Sequence, residues 1–331
     1  LCIEIPSVSQ NQNIGLSVAK AVTWKRSNSL LGVFVSLKRS VFTVKLALFL
    51  LIPTTPAFSF TEDFAQFLST SYSDLDFTGK EQGVDSSYGG KSSPSDAVIK
   101  RPIILVHGST DRALGGHSGS WTKTVEALTA HGYREAEIYA LTWGNGQQNS
   151  GPSNNHREAY ISLVRTFIEA VLAYTGAEQV DLVAHSMGVT LSRGAIKGIT
   201  STRGAALPAL TNNIKTFIAI AGGNLGVGAC LNPFADLMPT CSKQIGFHPE
   251  SAYLSALKNS SIREAGQIYT FWSPKDDVIG QQVFGRTNPV PPAVTSRLPG
   301  ENQSFSFADY SHLDLRDRTI LQQIGLLSDV D

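Results

Sequence analysis

Short β-branched runs that alternate with amphipathic segments are the feature that most constrains this chain. Apolar runs fall at residues 102–107 (PIILVH), 137–143 (EIYALTW), 180–184, 214–221 and 267–272, with a further strand signal over 304–310. Between them, 121–132, 158–175 and 187–197 read as helices, and 319–327 as a last one. In 158–175, Ile161, Val164, Ile168, Val171 and Leu172 recur at helical spacing, and Gly176 supplies the stop. Strands alternating with helices of this length imply an α/β domain with a mostly parallel central sheet and helices on both faces. Ligands of such sheets bind at the carboxyl ends of the strands, so the search for chemistry starts there. Residues 60–100, rich in Ser, Asp and Gly, show no sustained period and are expected to form a surface lead-in with one short helix near 64–68. The catalytic domain is then expected over 101–331.

Charge divides the chain unevenly. Its 27 basic and 27 acidic side chains balance, but residues 1–59 hold six Lys or Arg and one acid, Glu4, leaving a body of net charge −5. A field that would hold nucleic acid is absent from such a body. A composition 42% hydrophobic and 16% charged excludes a disordered or coiled-coil chain. Residues 38–45 are basic, 46–52 are seven unbroken apolar residues, and 53–59 are small and Pro-rich. Residues 1–59 are therefore expected to be an upstream segment plus a secretory signal peptide cleaved after Ala57 or Ser59, which places the mature chain outside the cell. The rival reading, a membrane anchor, would need about 20 apolar residues. Loss of Cys2 with the signal leaves Cys230 and Cys241, and an even count in a secreted chain suggests one disulfide.

One strand ends in the stretch Val180-Asp181-Leu182-Val183-Ala184-His185-Ser186-Met187-Gly188 and turns at the serine into a helix. It resembles the nucleophile elbow of α/β-hydrolases, with Ala184 where the common motif has glycine. The alternative is a buried serine capping a helix. An acyl-transfer enzyme also needs donors for a developing oxyanion. In this fold the loop after the first strand gives one and the residue after the nucleophile the other, here Ser109, beyond His107-Gly108, and Met187. The acid and histidine should follow in that order. After the fifth strand, Asp276 and Asp277 compete; Asp276, followed by one residue and then two apolar ones in such enzymes' usual pattern, is selected, and Asp277 is expected to cap or to face solvent. His312 lies beyond that acid, on a loop before the final helix, and is the expected general base. His107 and His185 are read as structural; His117, His131 and His156 as surface residues; His248 as a loop residue of the insert. No metal-ligand spacing and no GxGxxG, Walker, HExxH or CxxC pattern occurs, so neither a metal nor a cofactor is expected.

From about 102 to 327 the chain resembles the class 2 lipase family of the α/β-hydrolase superfamily, above all the lipase-related proteins of nematodes. The matching stretches are His107-Gly108-Ser109, Thr142-Trp143-Gly144-Asn145-Gly146, 167–176 (FIEAVLAYTG), 180–193 (VDLVAHSMGVTLSR), Ile220-Ala221-Gly222-Gly223-Asn224, 272–279 and 311–319. Extracellular polyhydroxybutyrate depolymerase is similar across the elbow and through Ala221-Gly222-Gly223 to the two cysteines. The resemblance implies an α/β-hydrolase fold, Ser186 as nucleophile, Asp276 as acid, His312 as base, and Ser109 and Met187 as oxyanion donors. The implied activity is a secreted lipase, with polyester depolymerase or short-chain esterase as alternatives and a non-catalytic lipid-binding protein as the remote one. Its partner would be an ester or lipid, met in solution or at a lipid–water interface, with no stable membrane anchor. The cysteine pattern is thinner than in the nematode members, so no second disulfide carries over. An insert at about 225–247, with Leu231, Phe234, Leu237 and Met238, is expected to form an acyl-binding wall, a lid, or ordinary loop packing.

Overall fold

The computed structural model describes residues 59–79, 86–116, 118–200 and 207–328. The proposed signal segment and His117 lie outside them. Six parallel strands form the central sheet: β1 (Ile103–Val106), β2 (Ile138–Leu141), β3 (Val180–His185), β4 (Ile214–Ile220), β5 (Gln267–Trp272) and β8 (Gln303–Ser306), in the order β2-β1-β3-β4-β5-β8. A two-stranded antiparallel hairpin, β6 (Gln282–Val283) with β7 (Arg286–Thr287), stands apart from it. The helices are α1 (Glu62–Ser71), α2 (Thr122–Ala130), α3 (Glu158–Thr175), α4 (Met187–Lys197), α5 (Ala252–Asn259), α6 (Pro292–Thr295), α7 (His312–Asp317) and α8 (Ile320–Ser328).

The pleat sorts the strands' side chains into two cores, as alternation requires. Ile104 and Val106 join Phe64 of α1 and residues of α3, α4 and α5 on one face. Ile103 and Leu105 join α2, Leu315 of α7 and α8 on the other. Burial on both faces is why β1 to β4 read as nearly unbroken apolar runs. The chain steps from β1 to β2 on one side and then returns to add β3 on the other, so the strand order reverses between β1 and β3. A crevice opens above that point, and there the loops after β1 and β3 meet.

The lead-in holds the short helix expected near 64–68, as α1, and is largely at the surface, but Phe60, Phe64, Leu68 and Phe77 anchor it in the core. Thr61 caps α1, its hydroxyl accepting from the Phe64 N–H at 3.3 Å. Phe64 is fully buried, with its ring 5.2 Å from Tyr139 of β2 and 4.6 Å from Tyr174 of α3. Tyr88 bridges Ala140, covering the free edge of β2. Gly89 permits that approach: at φ +121° a Cβ there would stand 2.2 Å from the Ile138 carbonyl. The i, i+4 spacing of Phe60, Phe64 and Leu68 carries this packing, and the polar residues around it masked the signal.

The last strand is shorter than expected, and the loop expected around His312 holds a helix. Ser311 and Asp314 form a reciprocal capping box that starts α7 at His312. No helix among the described residues is long and apolar enough to cross a membrane.

Candidate active site

The elbow is set by three backbone constraints. Ser186 sits at φ 57°, ψ −125°, a conformation that a non-glycine residue adopts only under constraint, between the end of β3 and the start of α4. Its N–H donates to the Ile220 carbonyl at 2.9 Å, pinning the turn to β4. Gly188 lets α4 descend onto β1, since a Cβ there would lie 2.4 Å from the His107 carbonyl oxygen and 2.5 Å from that of Val106. Ala184, registered between Val106 and Ala219, is fully buried, and its methyl is accommodated. Met187 is the first residue of α4, so its N–H belongs to the helix-terminal donors that no intrahelical carbonyl satisfies.

The facing loop is held as firmly. Gly108 lies against the serine; a Cβ there would stand 3.0 Å from Ser186 Cβ and 3.5 Å from its Oγ. The His107 ring is stacked on Trp143. Its Nδ1 lies 2.7 Å from the Gly108 carbonyl and its Nε2 accepts from the Trp143 N–H at 3.1 Å, which assigns the proton to Nδ1. Burial pushes its pKa down to about 4, so it stays neutral. Ser150 Oγ lies 2.8 Å from the Ser109 carbonyl, its proton shared with the Gln147 carbonyl, and the Asn154 amide donates to the same Ser109 oxygen. Neither Ser150 nor Asn154 was indicated by the sequence, because both come from the irregular loop after β2, whose polar residues carry no period.

Asp276 and His312 meet across the ends of β5 and β8. His312 Nδ1 lies 2.8 Å from Asp276 Oδ2, while the N–H groups of Val278 and Ile279 donate to Oδ1 at 3.0 and 2.8 Å. Burial works against the carboxylate's charge, but His312 and those two N–H groups outweigh it and hold the pKa below the ordinary carboxylate value. Asp277 acts on the backbone instead, its Oδ1 accepting the His312 N–H at 2.8 Å and so capping α7 from outside the helix. His185 Nε2 lies 3.0 Å from the His312 carbonyl, and burial, with His312 next, drives the His185 pKa well down. Asp276 therefore orients the ring, while Asp277 and His185 hold the backbone that carries it.

Ser109, Ser186 and His312 open into one cavity of about 230 Å³. Val227, Ala229, Met238, Phe247 and the Cys230–Cys241 disulfide, whose Cα atoms are 5.1 Å apart, line it. The insert thus supplies a wall, with Phe234 and Leu237 of the same segment left exposed. His131 and His248 sit as expected, one exposed and the other in the loop after the insert. His156 does not: it is fully buried, 2.6 Å from Thr190 Oγ1 of α4 and 3.0 Å from the Ile245 carbonyl, and it ties the insert to the elbow helix. Its position just ahead of α3 resembled a surface loop because its partners lie far along the chain. Among the described residues, no group of His, Cys, Asp or Glu is arranged to hold a metal ion.

A doubly covered parallel sheet, reversed between β1 and β3 and carrying a serine elbow at that reversal, is the architecture of an α/β hydrolase. More narrowly, the chain belongs to the class 2 lipase family, whose model matches residues 100–325. It is 31% identical over 99 residues to triacylglycerol lipases of Pseudarthrobacter phenanthrenivorans and Burkholderia plantarii, each match covering 29% of this chain. The chain spans only 28% and 25% of the length of those relatives. A solved lipase of Bacillus licheniformis in its mature form is similar at 15% identity and a TM-score of 0.47, covering 73% of this chain and 96% of that one.

Proposed function

We propose that this protein is a secreted serine carboxylic-ester hydrolase that acts on acylglycerols. The observation that carries the reading is the convergence of Ser186 and an Asp276-oriented His312 on one apolar-walled cavity. With Nδ1 engaged by Asp276, His312 presents Nε2 as the proton acceptor. It takes the Ser186 hydroxyl proton as Oγ attacks the ester carbonyl, and the carbonyl oxygen becomes an oxyanion held by the N–H groups of Ser109 and Met187. Collapse breaks the C–O bond, and His312 returns its proton to the leaving alcohol. A water then repeats the sequence on the acyl-enzyme: its proton passes to His312, its oxygen forms the acid, and the proton returns to Ser186 Oγ. Asp276 remains ionised throughout and stabilises the imidazolium. This chemistry needs no cofactor. The triacylglycerol lipases among the relatives support the substrate class, and the disulfide supports an oxidising compartment.

The size of the cavity favours a second reading within the same chemistry. About 230 Å³ holds roughly seven or eight methylenes if each displaces about as much volume as a water, about 30 Å³. A short-chain esterase or a depolymerase of short hydroxyacid polyesters would fit such a cavity. Hydrolysis of p-nitrophenyl esters from C2 to C16, and of emulsified triacylglycerol, by the wild type and by Ser186→Ala separates these outcomes. Turnover that extends to long chains and the emulsion and is lost in the variant supports the lipase; a cut-off near C8 supports the second reading. Turnover retained in Ser186→Ala removes both.

A further inference from the structure

A second and larger cavity, about 400 Å³, lies on the other side of the segment after β4. Gly223 faces the catalytic cavity, while the next residues, Asn224 and Leu225, line this one. Its walls are apolar, from Leu225, Val294 and Leu298, and its polar groups are mostly cationic: Arg193, Lys258 and Arg297.

The charge balance beneath it is incomplete. Arg193 and Lys197 of α4 are both buried and share a single carboxylate, Glu264, at 2.7 and 3.3 Å. Two basic side chains therefore rely on one carboxylate, and an added anion beside Arg193 would relieve that imbalance. Arg193 also has donors to spare. Of its five N–H groups, Nε donates to Glu264, Nη1 to Asn224 at 3.2 Å and Nη2 to the Leu257 carbonyl at a long 3.5 Å. Two are left without an acceptor among the described residues. Glu301, the only acid on the wall, is engaged by Arg297 at 2.7 Å and by the Leu298 N–H.

We propose that this cavity binds a medium-chain alkyl carboxylate, its tail against Leu225, Val294 and Leu298 and its head group drawn to Arg193 and Lys258. Counting each methylene as a water's volume, about 30 Å³, the cavity has room for about thirteen such units, enough for a ten-carbon acid with its head group. Such a ligand is the class of acid that the proposed hydrolysis releases, and a bound copy would sit behind the wall of the catalytic cavity. Binding needs no turnover, so its failure would leave the hydrolase reading untouched.

Isothermal titration of the chain from residue 60 with decanoate tests the site, with decanol as the uncharged probe. Val294→Glu places a like charge in this cavity without touching the buried ion cluster. Met238→Trp fills the catalytic cavity instead. One-to-one decanoate binding is expected, about tenfold or more weaker in Val294→Glu, unchanged in Met238→Trp, and at least tenfold tighter than decanol binding, in keeping with a charge-assisted hydrogen bond. No decanoate binding, binding lost only in Met238→Trp, wild-type affinity in Val294→Glu, or equal affinity for decanol would each overturn the proposal.

Discussion

Replacing Arg316 with methionine should unfasten the two loops that converge on Ser186. Arg316 lies one helical turn beyond His312 and is almost wholly buried, its Nη1 3.0 Å from Asp111 Oδ2. The Asp111 N–H donates to the Gly108 carbonyl at 3.3 Å, so this ion pair joins the loop that carries Ser109 to the helix that carries His312. Arg316 also donates to the Ser118 carbonyl at 3.1 Å and lies over the Trp121 ring. Removing one partner of a buried pair costs about 3–5 kcal/mol because the other charge is left uncompensated. Asp111 would keep its bonds from Ser118, Ser120 and the Arg112 N–H, which argues for the lower end, about 3 kcal/mol. For a domain of this size that is a fall in Tm of roughly 6–12 °C. Urea unfolding followed by fluorescence gives the stability change. Initial rates on a p-nitrophenyl ester, measured well below the new midpoint, should show kcat reduced with KM little altered, and Arg316→Lys should recover part of it. Arg316 Nε also pairs with Asp317 at 2.7 Å, but Asp317 keeps Lys123 at 3.3 Å, so the double variant Arg316→Met with Asp111→Asn, which leaves no buried charge without a partner, should cost less than the sum of the singles. A stability loss under about 1 kcal/mol, the range of an exposed pair, or strict additivity in the double variant, would refute the reasoning.

Further outcomes follow from other contacts. Asp276→Asn should lower kcat by about 10⁴, the effect of losing the correct imidazole tautomer, whereas Asp277→Asn, which weakens one hydrogen bond to the His312 backbone, should cost only about tenfold; equal losses on the same ester substrate would mean the two roles are misassigned. Gly188→Ala places a methyl 2.4 Å from the His107 carbonyl oxygen and should destabilise the fold by about 1–3 kcal/mol or more, with activity lost in parallel; a wild-type thermal melt would contradict the packing of α4 on β1. Burial pushes the His156 pKa down to about 4, below its unfolded value of about 6.5, so the unfolded chain binds the extra proton and stability falls as pH drops from about 6.5 to 4. His156→Gln should flatten that part of the urea-stability profile; an unchanged difference between variant and wild type from pH 7 to 4 would show that His156 is not held neutral. The comparison must be a difference, because Asp181, raised to about 6 chiefly by burial, contributes with the opposite sign over the range from about 4 to 6.

What the sequence disclosed was whatever repeats or turns locally. Strands β1 to β4 are buried on both faces and stand out as apolar runs; the elbow was legible because a strand, a serine and a small residue two places on must follow one another directly. Asp276 could be preferred over Asp277 only by a family's spacing, and the reason appears in three dimensions: one carboxylate faces the ring, the other the backbone. Residues whose partners are remote stayed hidden. The Asp111–Arg316 pair spans most of the catalytic domain, and His156 finds its acceptor in Ile245. The helix α7 was obscured by its brevity, six residues being too few to show a period. The anchoring of the lead-in stayed hidden because its four buried apolar residues, Phe60, Phe64, Leu68 and Phe77, are diluted by Ser, Asp and Gly.

The central claim is that Ser186 is a nucleophile activated by His312. Incubation of the chain from residue 60 with diethyl p-nitrophenyl phosphate, followed by peptide mass spectrometry, tests it without assuming a natural substrate. The account predicts stoichiometric release of p-nitrophenol and a single diethylphosphoryl group on the peptide containing Ser186, with the rate cut by orders of magnitude in His312→Ala. Labelling at another residue, or none in a folded protein, would contradict it.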